Sequence, residues 1–320
     1  LLRDVAAIFT HIVFLWRKRV GEAGYEGFGA VRTASLAGVW TPRSPGPKQA
    51  HTQTPGAPAN DEGVMDLRLL GKKAIVMGGS RGIGRAIAET LASEGVDVAI
   101  CARNRPQVDE AVASLRSKGV NAFGGVVDIA DGEALKTWIE ETTEALGGLE
   151  ILVSNASALT RGNSEEEWRS LFDIDLMGAV RAFEAARAAL AAGASRGGDA
   201  AFIIISSISA AEAPALSAYG AIKASLIHVA KGLARDHAAQ GIRVNVVSPG
   251  TVYFEDGVWG EVERTAPAFF KTMIERNPTG RMATPTEIAS ATVFLASPLS
   301  KFTTGTNLLV DGAFTARVNF

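Results

Sequence analysis

From residue 72 to the C-terminus, short apolar runs alternate with longer stretches whose apolar residues recur every three or four positions. This alternation constrains the fold more than any single motif does. A short run that is apolar throughout suits a strand covered on both faces, and such strands belong to parallel sheets flanked by helices. Seven runs qualify: Lys73–Met77, Val96–Cys101, Ala122–Val127, Leu149–Val153, Ala201–Ser206, Ile242–Val247 and Asn307–Val310. Between them, Ile83, Ile87 and Leu91 recur every four residues, and Leu135, Ile139, Thr142 and Leu146 keep the spacing of one helical face. Ser164 with Glu167 reads as a capping box, and Thr284, Pro285 and Glu287 combine a cap, a first-turn proline and the reciprocal acid. The pattern predicts an α/β fold: a doubly wound parallel seven-stranded sheet with helices on both faces and right-handed crossovers.

The first sixty-odd residues lack this regularity. Val5 to Trp16 is apolar and Arg17-Lys18-Arg19 follows it. That run is shorter than the roughly 20 residues a bilayer span needs, and a secretory signal carries its charge before the apolar run rather than after it. Residues 41–58 are rich in Pro, Gly, Thr and Gln, a linker composition. Residues 1–64 are therefore expected to be an extension or linker, poorly ordered or non-native, with translation starting at Met65, and residues 65–320 a single domain. Lys plus Arg (32) nearly balances Asp plus Glu (34), so no basic footprint for nucleic acid is present, and no membrane association is expected. The one cysteine, Cys101, cannot form an internal disulfide, which fits a reducing, cytoplasmic compartment. One cysteine and four scattered histidines offer no zinc-like ligand set.

The first strand runs into Gly78-Gly79-Ser80-Arg81-Gly82-Ile83-Gly84 and then directly into a helical pattern. Bare backbone at such a turn lets a pyrophosphate approach, and the helix N-terminus supplies free N–H groups and the positive end of its dipole. An isolated glycine turn is a weak signal, but this one follows the first strand of the domain, as in a Rossmann-type sheet. Its Gly-x-x-x-Gly-x-Gly spacing resembles that of the short-chain dehydrogenase/reductase family, over about residues 67–320. The resemblance implies that Gly78, Ser80, Arg81, Gly82, Ile83 and Gly84 hold a dinucleotide. It also implies that Asp128 and Ile129 contact the adenine, and that Asn155 and Ala156 continue the pocket after the fourth strand. The family's usual Thr before the first glycine is Met77 here, so the turn is expected to be held differently. An acid after the second strand would bind the ribose 2′-hydroxyl of NAD and repel a 2′-phosphate. Ala102 stands there instead, followed by Arg103, and Arg81 adds a second guanidinium. The expected cofactor is NADP(H), with NAD(H) the lesser alternative; the bland reading of Arg103 is a solvated loop residue.

Tyr219 and Lys223 stand one turn apart in a helical stretch, just after a strand ending in Ser206-Ser207. A phenol with pKa near 10 exchanges protons poorly at neutral pH, and a nearby ammonium lowers that value. Alone, Tyr-x-x-x-Lys also occurs as an ordinary surface pair. The resemblance implies that Tyr219 is the proton donor or acceptor, that Lys223 is its partner and holds the nicotinamide ribose, and that Ser207 hydrogen-bonds the substrate oxygen. Ser206 stays open as the alternative serine. Asp175, on the helix that starts at Ser164 and on the face of Trp168, Leu171, Phe172 and Ala179, takes the place of the family's usual Asn. Three outcomes are open for this fourth candidate catalytic residue: a backbone role, an ionised partner of Lys223, or a neutral acid. With Asp173 it also reads simply as the flank of a bend.

Pro249 and Gly250 end the sixth strand, and the resemblance implies that they and Val252 face the nicotinamide. Phe254 and Glu255 replace the hydroxyl residue expected a little further on. Residues 253–277 form a long connection whose aromatics, Phe254, Trp259, Phe269 and Phe270, read either as an apolar substrate wall or as packing. The C-terminal matches Thr304-Gly305 and Val310-Asp311-Gly312 imply a homodimer or homotetramer. The implied activity is reversible hydride transfer between the nicotinamide and a small carbonyl or alcohol substrate, as in a 3-oxoacyl reductase or related ketone reductase. The alternative is a catalytically weak NADP(H)-binding sensor or structural protein, which Met77, Asp175 and Phe254 favour mildly.

Overall fold

The computed structural model describes residues 65–318, so the expectations for residues 1–64 lie outside the described residues. Within it, every expected apolar run is a strand: β1 (Lys73–Met77), β2 (Asp97–Ala102), β3 (Ala122–Val126), β4 (Ile151–Ser154), β5 (Ala200–Ile205), β6 (Ile242–Pro249) and β7 (Asn307–Val310). They form one parallel sheet in the order β3-β2-β1-β4-β5-β6-β7. Ends differ from expectation by up to two residues. Val96, for example, gives its N–H to Leu91 in the preceding turn, and pairing begins only at Asp97. The chain winds outward from β1 to β3, then returns to β4 on the other side of β1. Ligands of such sheets bind at this switch point, beyond the carboxyl ends of the strands.

Alternate side chains of each central strand enter two different cores. On one face Ala74, Val76, Val98 and Ile100 pack with Ile87 and Leu91 of α1 (Gly82–Ser93), Val108 and Leu115 of α2 (Arg105–Arg116), and Ile288 and Val293 of α9 (Pro285–Ala296). On the other, Ile75, Met77 and Cys101 pack with Leu135 and Ile139 of α3 (Gly132–Leu146), Phe183 and Leu190 of α5 (Met177–Gly197), and Leu226 of α6 (Ala218–His237). Phe183 stacks on Phe202 with ring centroids 5.5 Å apart. Both expected capping boxes are present, Ser164 with Glu167 opening α4 (Glu165–Leu171) and Thr284 with Glu287 opening α9.

Two residues of this interior carry more than apolar packing, one a guanidinium and one a thiol. Arg243, on β6, forms a bidentate pair with Asp199 (2.7 and 3.0 Å) and also donates to the carbonyls of Leu295, Ala296 and Ser297 at the end of α9. One side chain thus supplies partners for carbonyls that a helix end leaves over. Cys101, fully buried at the end of β2, has its thiol pushed up to about 12 by burial. Its carbonyl accepts the N–H groups of Gly78 (2.8 Å) and Gly79 (3.3 Å).

The helix expected to run from Ser164 through Asp175 is not continuous. α4 ends at Leu171, a π-helical turn spans Phe172–Leu176, and α5 begins at Met177. The wider turn separates residues that a 3.6-residue period would place together: Leu171 and Asp175 are buried, while Phe172 is 46% exposed.

Candidate active site

A cleft of about 910 Å³ opens at the carboxyl ends of the strands. The β1–α1 turn forms its floor. Gly78 has φ +71°, a conformation that suits glycine, and a Cβ there would come within 2.9 Å of the Ala156 Cα. The Gly78 carbonyl accepts a hydrogen bond from Asn155 Nδ2 at 3.0 Å, so the turn is held by the end of β4 and by the Cys101 carbonyl. Met77 therefore does nothing that a threonine would: its side chain is fully buried in the core behind the turn. Gly84, expected in the cofactor set, does not line the cleft. It is buried where a Cβ would strike the Gly78 carbonyl and the Asn155 amide, and its bareness lets α1 pack against the turn. No side chain caps the N-terminus of α1, whose N–H groups stay available to an anion.

Ser80, Arg81, Gly82, Ile83, Arg103, Asp128, Ile129, Asn155 and Ala156 all reach the cleft wall. Arg103 is exposed at the rim after β2, with no carboxylate at Ala102. Arg81 donates from Nη1 to the Asp256 carbonyl at 3.1 Å, across to the long connection after β6. Asp128 accepts the Ala130 N–H at 3.1 Å in a local turn.

The chemistry-bearing side chains come from β5, the π turn and α6. Ser217 caps α6 by accepting the Gly220 N–H, and Asn163 clamps the same end, accepting from Ala218 N (2.7 Å) and donating to the Leu216 carbonyl (3.1 Å). Tyr219 packs against Leu171 and Ala218, which joins α4 to α6. Lys223 lies one turn on, 98% buried, with Nζ 5.5 Å from the centre of the Tyr219 ring. That nitrogen donates to the Ile205 carbonyl (3.1 Å) and makes an ion-pair contact with Asp175 Oδ1 (3.0 Å). Asp175 Oδ2 accepts the Ala158 N–H at 2.8 Å. Burial works against the lysine ammonium, but the charges of Tyr219 and Asp175 outweigh it and hold its pKa above the ordinary lysine value. Of the readings left open for Asp175, the structure has the partner of Lys223; the carboxylate sits behind the lysine and does not line the cleft.

The two serines separate cleanly. Ser206 is buried and donates its hydroxyl to the Lys223 carbonyl at 2.8 Å. Ser207 is half-buried at the cleft; its oxygen accepts the Ser209 N–H (3.1 Å), which leaves its hydroxyl hydrogen for another acceptor.

Pro249, Gly250 and Val252 line the opposite end of the cleft. Beyond them run α7 (Val258–Thr265) and α8 (Pro267–Arg276). The aromatics of this connection divide. Phe254 and Trp259 line the cleft, whereas Phe269 stacks on Trp259 (6.2 Å) and Phe270 packs tilted against Tyr253 (5.8 Å), away from it. The Phe254 ring lies between Gly82 and Gly257, where Cβ atoms would come within 2.6 and 2.7 Å of it. Arg161, after β4, meets Glu261 of α7 at 2.7 Å, so the connection is tied to both banks of the cleft. Sequence reading missed Arg161, Asn163 and Asp256. Each acts on a partner 55 to 175 residues away, and no local pattern marks such a contact. Among the described residues no cluster of His, Cys, Asp and Glu could hold a metal ion, and no helix is long and apolar enough to cross a membrane.

Comparison with known proteins places this geometry among relatives. The family model described as enoyl-(acyl carrier protein) reductase matches residues 78–315. The chain is 33% identical over 264 residues to isoepoxydon dehydrogenase patN of Penicillium expansum, covering 80% of this chain and 100% of the relative. It is 34% identical over 250 residues to the 3-oxoacyl-[acyl-carrier-protein] reductase FabG of Staphylococcus aureus, covering 75% and 97%. In structure it superposes on L-sorbose reductase from Gluconobacter frateurii, solved with NADPH and L-sorbose, with a TM-score of 0.73 at 31% identity, covering 79% of this chain and 100% of that one.

Proposed function

Because the chain belongs to the short-chain dehydrogenase/reductase family, we propose that this oxidoreductase transfers hydride between NADP(H) and a small carbonyl or alcohol substrate, with Tyr219 giving or taking the proton. The observation that carries the reading is the Tyr219–Lys223 pair at the cleft, one helical turn apart, with the lysine buried and anchored by Ile205 and Asp175.

The residues fit a dinucleotide. The cradle at Gly78 admits no Cβ, and the uncapped α1 N-terminus adjoins it. Gly78, Ser80, Gly82 and Ile83 would hold the phosphates, Arg81 and Arg103 a 2′-phosphate, Asp128 and Ile129 the adenine end, and Asn155, Ala156, Pro249, Gly250 and Val252 the nicotinamide half. When bound, the cofactor supplies or accepts the hydride. The Ser207 hydroxyl donates to the substrate oxygen and orients it. Tyr219 then passes its proton to that oxygen in reduction and takes it back in oxidation. Lys223 keeps the phenol within range of its charge. The NADPH of the sorbose reductase complex and the absence of an acid after β2 both support NADP(H) over NAD(H).

Substrate class is read from chemistry alone. Phe254 and Trp259 give the cleft an apolar wall, which suits a ketone of the 3-oxoacyl or related type. We read the exposed Phe294, Leu299 and Phe302, near β7, as support for a homodimer or homotetramer, the lone buried thiol as support for a cytoplasmic setting, and the compact unit Gly63–Phe320 as support for a single NAD(P)-binding domain over residues 65–320. The weak-turnover reading keeps one supporting observation, the Phe254 ring against the phosphate turn. An NADPH- and NADH-oxidation assay over a panel of carbonyls separates the two readings. Turnover with NADPH preferred, lost by roughly 10²–10⁴-fold in Tyr219→Phe, is expected; tight NADPH binding without turnover on any carbonyl would favour the sensor.

A further inference from the structure

Two opposite charges lie buried together behind Tyr219. The Lys223 and Asp175 side chains are 3% and 0% exposed, and their charged atoms are 3.0 Å apart. Asp175 Oδ2 accepts the Ala158 N–H, and Oδ1, buried and without a hydrogen bond, lies in ion-pair contact with the ammonium. We infer that Asp175 is a positioning residue that balances the charge of Lys223 and so raises the pH at which Tyr219 exchanges its proton. This rests on Tyr219 being the proton-exchanging group.

An unbalanced ammonium 5.5 Å from the phenol ring favours tyrosinate strongly, because little water intervenes. A carboxylate beside that same nitrogen turns the single charge into a dipole, whose field at the ring is weaker and falls off faster. Among the described residues, Asp175 is the one charged side chain paired with Lys223. Asp173, the other acid of the π turn, points to Arg181 at 4.0 Å on the outside. β5 contributes the Ile205 carbonyl and the Ser206 and Ser207 hydroxyls, and the β4 loop Asn155, Ser157 and the Ala158 N–H, with Arg161 exposed further along it. From the connection after β6, Asp256, Glu261 and Arg264 line the cleft in exposed positions, and Glu261 pairs with the exposed Arg161 of the segment after β4. Burial lowers the value of Lys223, and the charge of Tyr219, then the charge and contact of Asp175, outweigh it and keep the ammonium.

The test uses the full chain in two ways. In the ligand-free protein, ultraviolet titration of tyrosinate, taken as wild type minus Tyr219→Phe, isolates Tyr219 from Tyr25 and Tyr253. Tyr219 is expected to ionise at lower pH in Asp175→Asn than in the wild type and at the wild-type pH in Asp175→Glu; an unmoved titration in a folded Asp175→Asn, or a shift in Asp175→Glu as large as in Asp175→Asn, overturns the inference. In turnover, Asp175→Asn is expected to move two features to lower pH by about one unit or more. These are the fall of the reduction rate with rising pH and the rise of the oxidation rate. Asp175→Glu, which restores the charge, keeps the wild-type midpoints. Unmoved midpoints in a folded Asp175→Asn overturn the inference. Retained turnover in Tyr219→Phe would instead remove the reading of Tyr219 beneath it, and the two failures are told apart because the tyrosinate titration needs no turnover.

Discussion

Two glycines show how one absent methyl group acts in opposite directions. Gly84 and Gly232 both sit inside helices, α1 and α6, where alanine is intrinsically better by roughly 1 kcal/mol. Around Gly232 nothing lies within 4 Å of an added Cβ, whereas at Gly84 that atom would meet the Gly78 carbonyl and the Asn155 amide. Gly232→Ala should therefore stabilise the protein by about 0.5–1 kcal/mol. Gly84→Ala should cost about 1–3 kcal/mol and weaken NADPH binding, because the carbonyl it displaces belongs to the phosphate turn. Thermal melts and a fluorescence titration with NADPH check both; equal effects at the two sites would show that the turn yields freely. The same scale decides the serines. Spacing left Ser206 and Ser207 open, and only the hydrogen bond from Ser206 to the Lys223 carbonyl assigns them different tasks.

At the scale of elements, what was legible is what periodicity encodes. All seven strands, both capping boxes and the apolar faces of the helices follow from local spacing, because burial on a repeating face leaves a repeating trace. The π turn at Phe172–Leu176 leaves none. Its one extra residue per turn is supported by Asp175 reaching a lysine 48 positions later, a contact that one-dimensional spacing cannot show. Arg243 escaped for a similar reason. A charged residue within an apolar run looks like an exception until the end of α9 closes over it. Its pair with Asp199 sits at 5% and 4% exposure, and its other donors serve helix-end carbonyls. Arg243→Met should destabilise by roughly 3–5 kcal/mol, since it leaves Asp199 charged and unpaired in the interior. The joint replacement of Arg243 and Asp199 by apolar residues should recover part of that loss. Denaturant midpoints for the two variants measure it, and a single substitution as mild as a surface change would mean the pair is solvated.

Over the whole molecule, the cofactor turn and the two cores are one structure. Gly78 and Gly79, in the turn proposed to cradle phosphate, hang from the carbonyl of Cys101, and the side chain of that residue is part of the core beneath. A reagent can reach the thiol only when the end of β2 parts from its neighbours, and the same parting undoes the turn. The chain's only cysteine therefore works as a built-in clock for opening of the site. Alkylation of the native protein should be slow and should report an opening close to global unfolding. NADPH at about 100 times its Kd should slow the reaction roughly hundredfold, because every bound molecule must leave before the clock can run. Rapid labelling indifferent to NADPH would mean that β2 frays by itself and that the turn is held elsewhere.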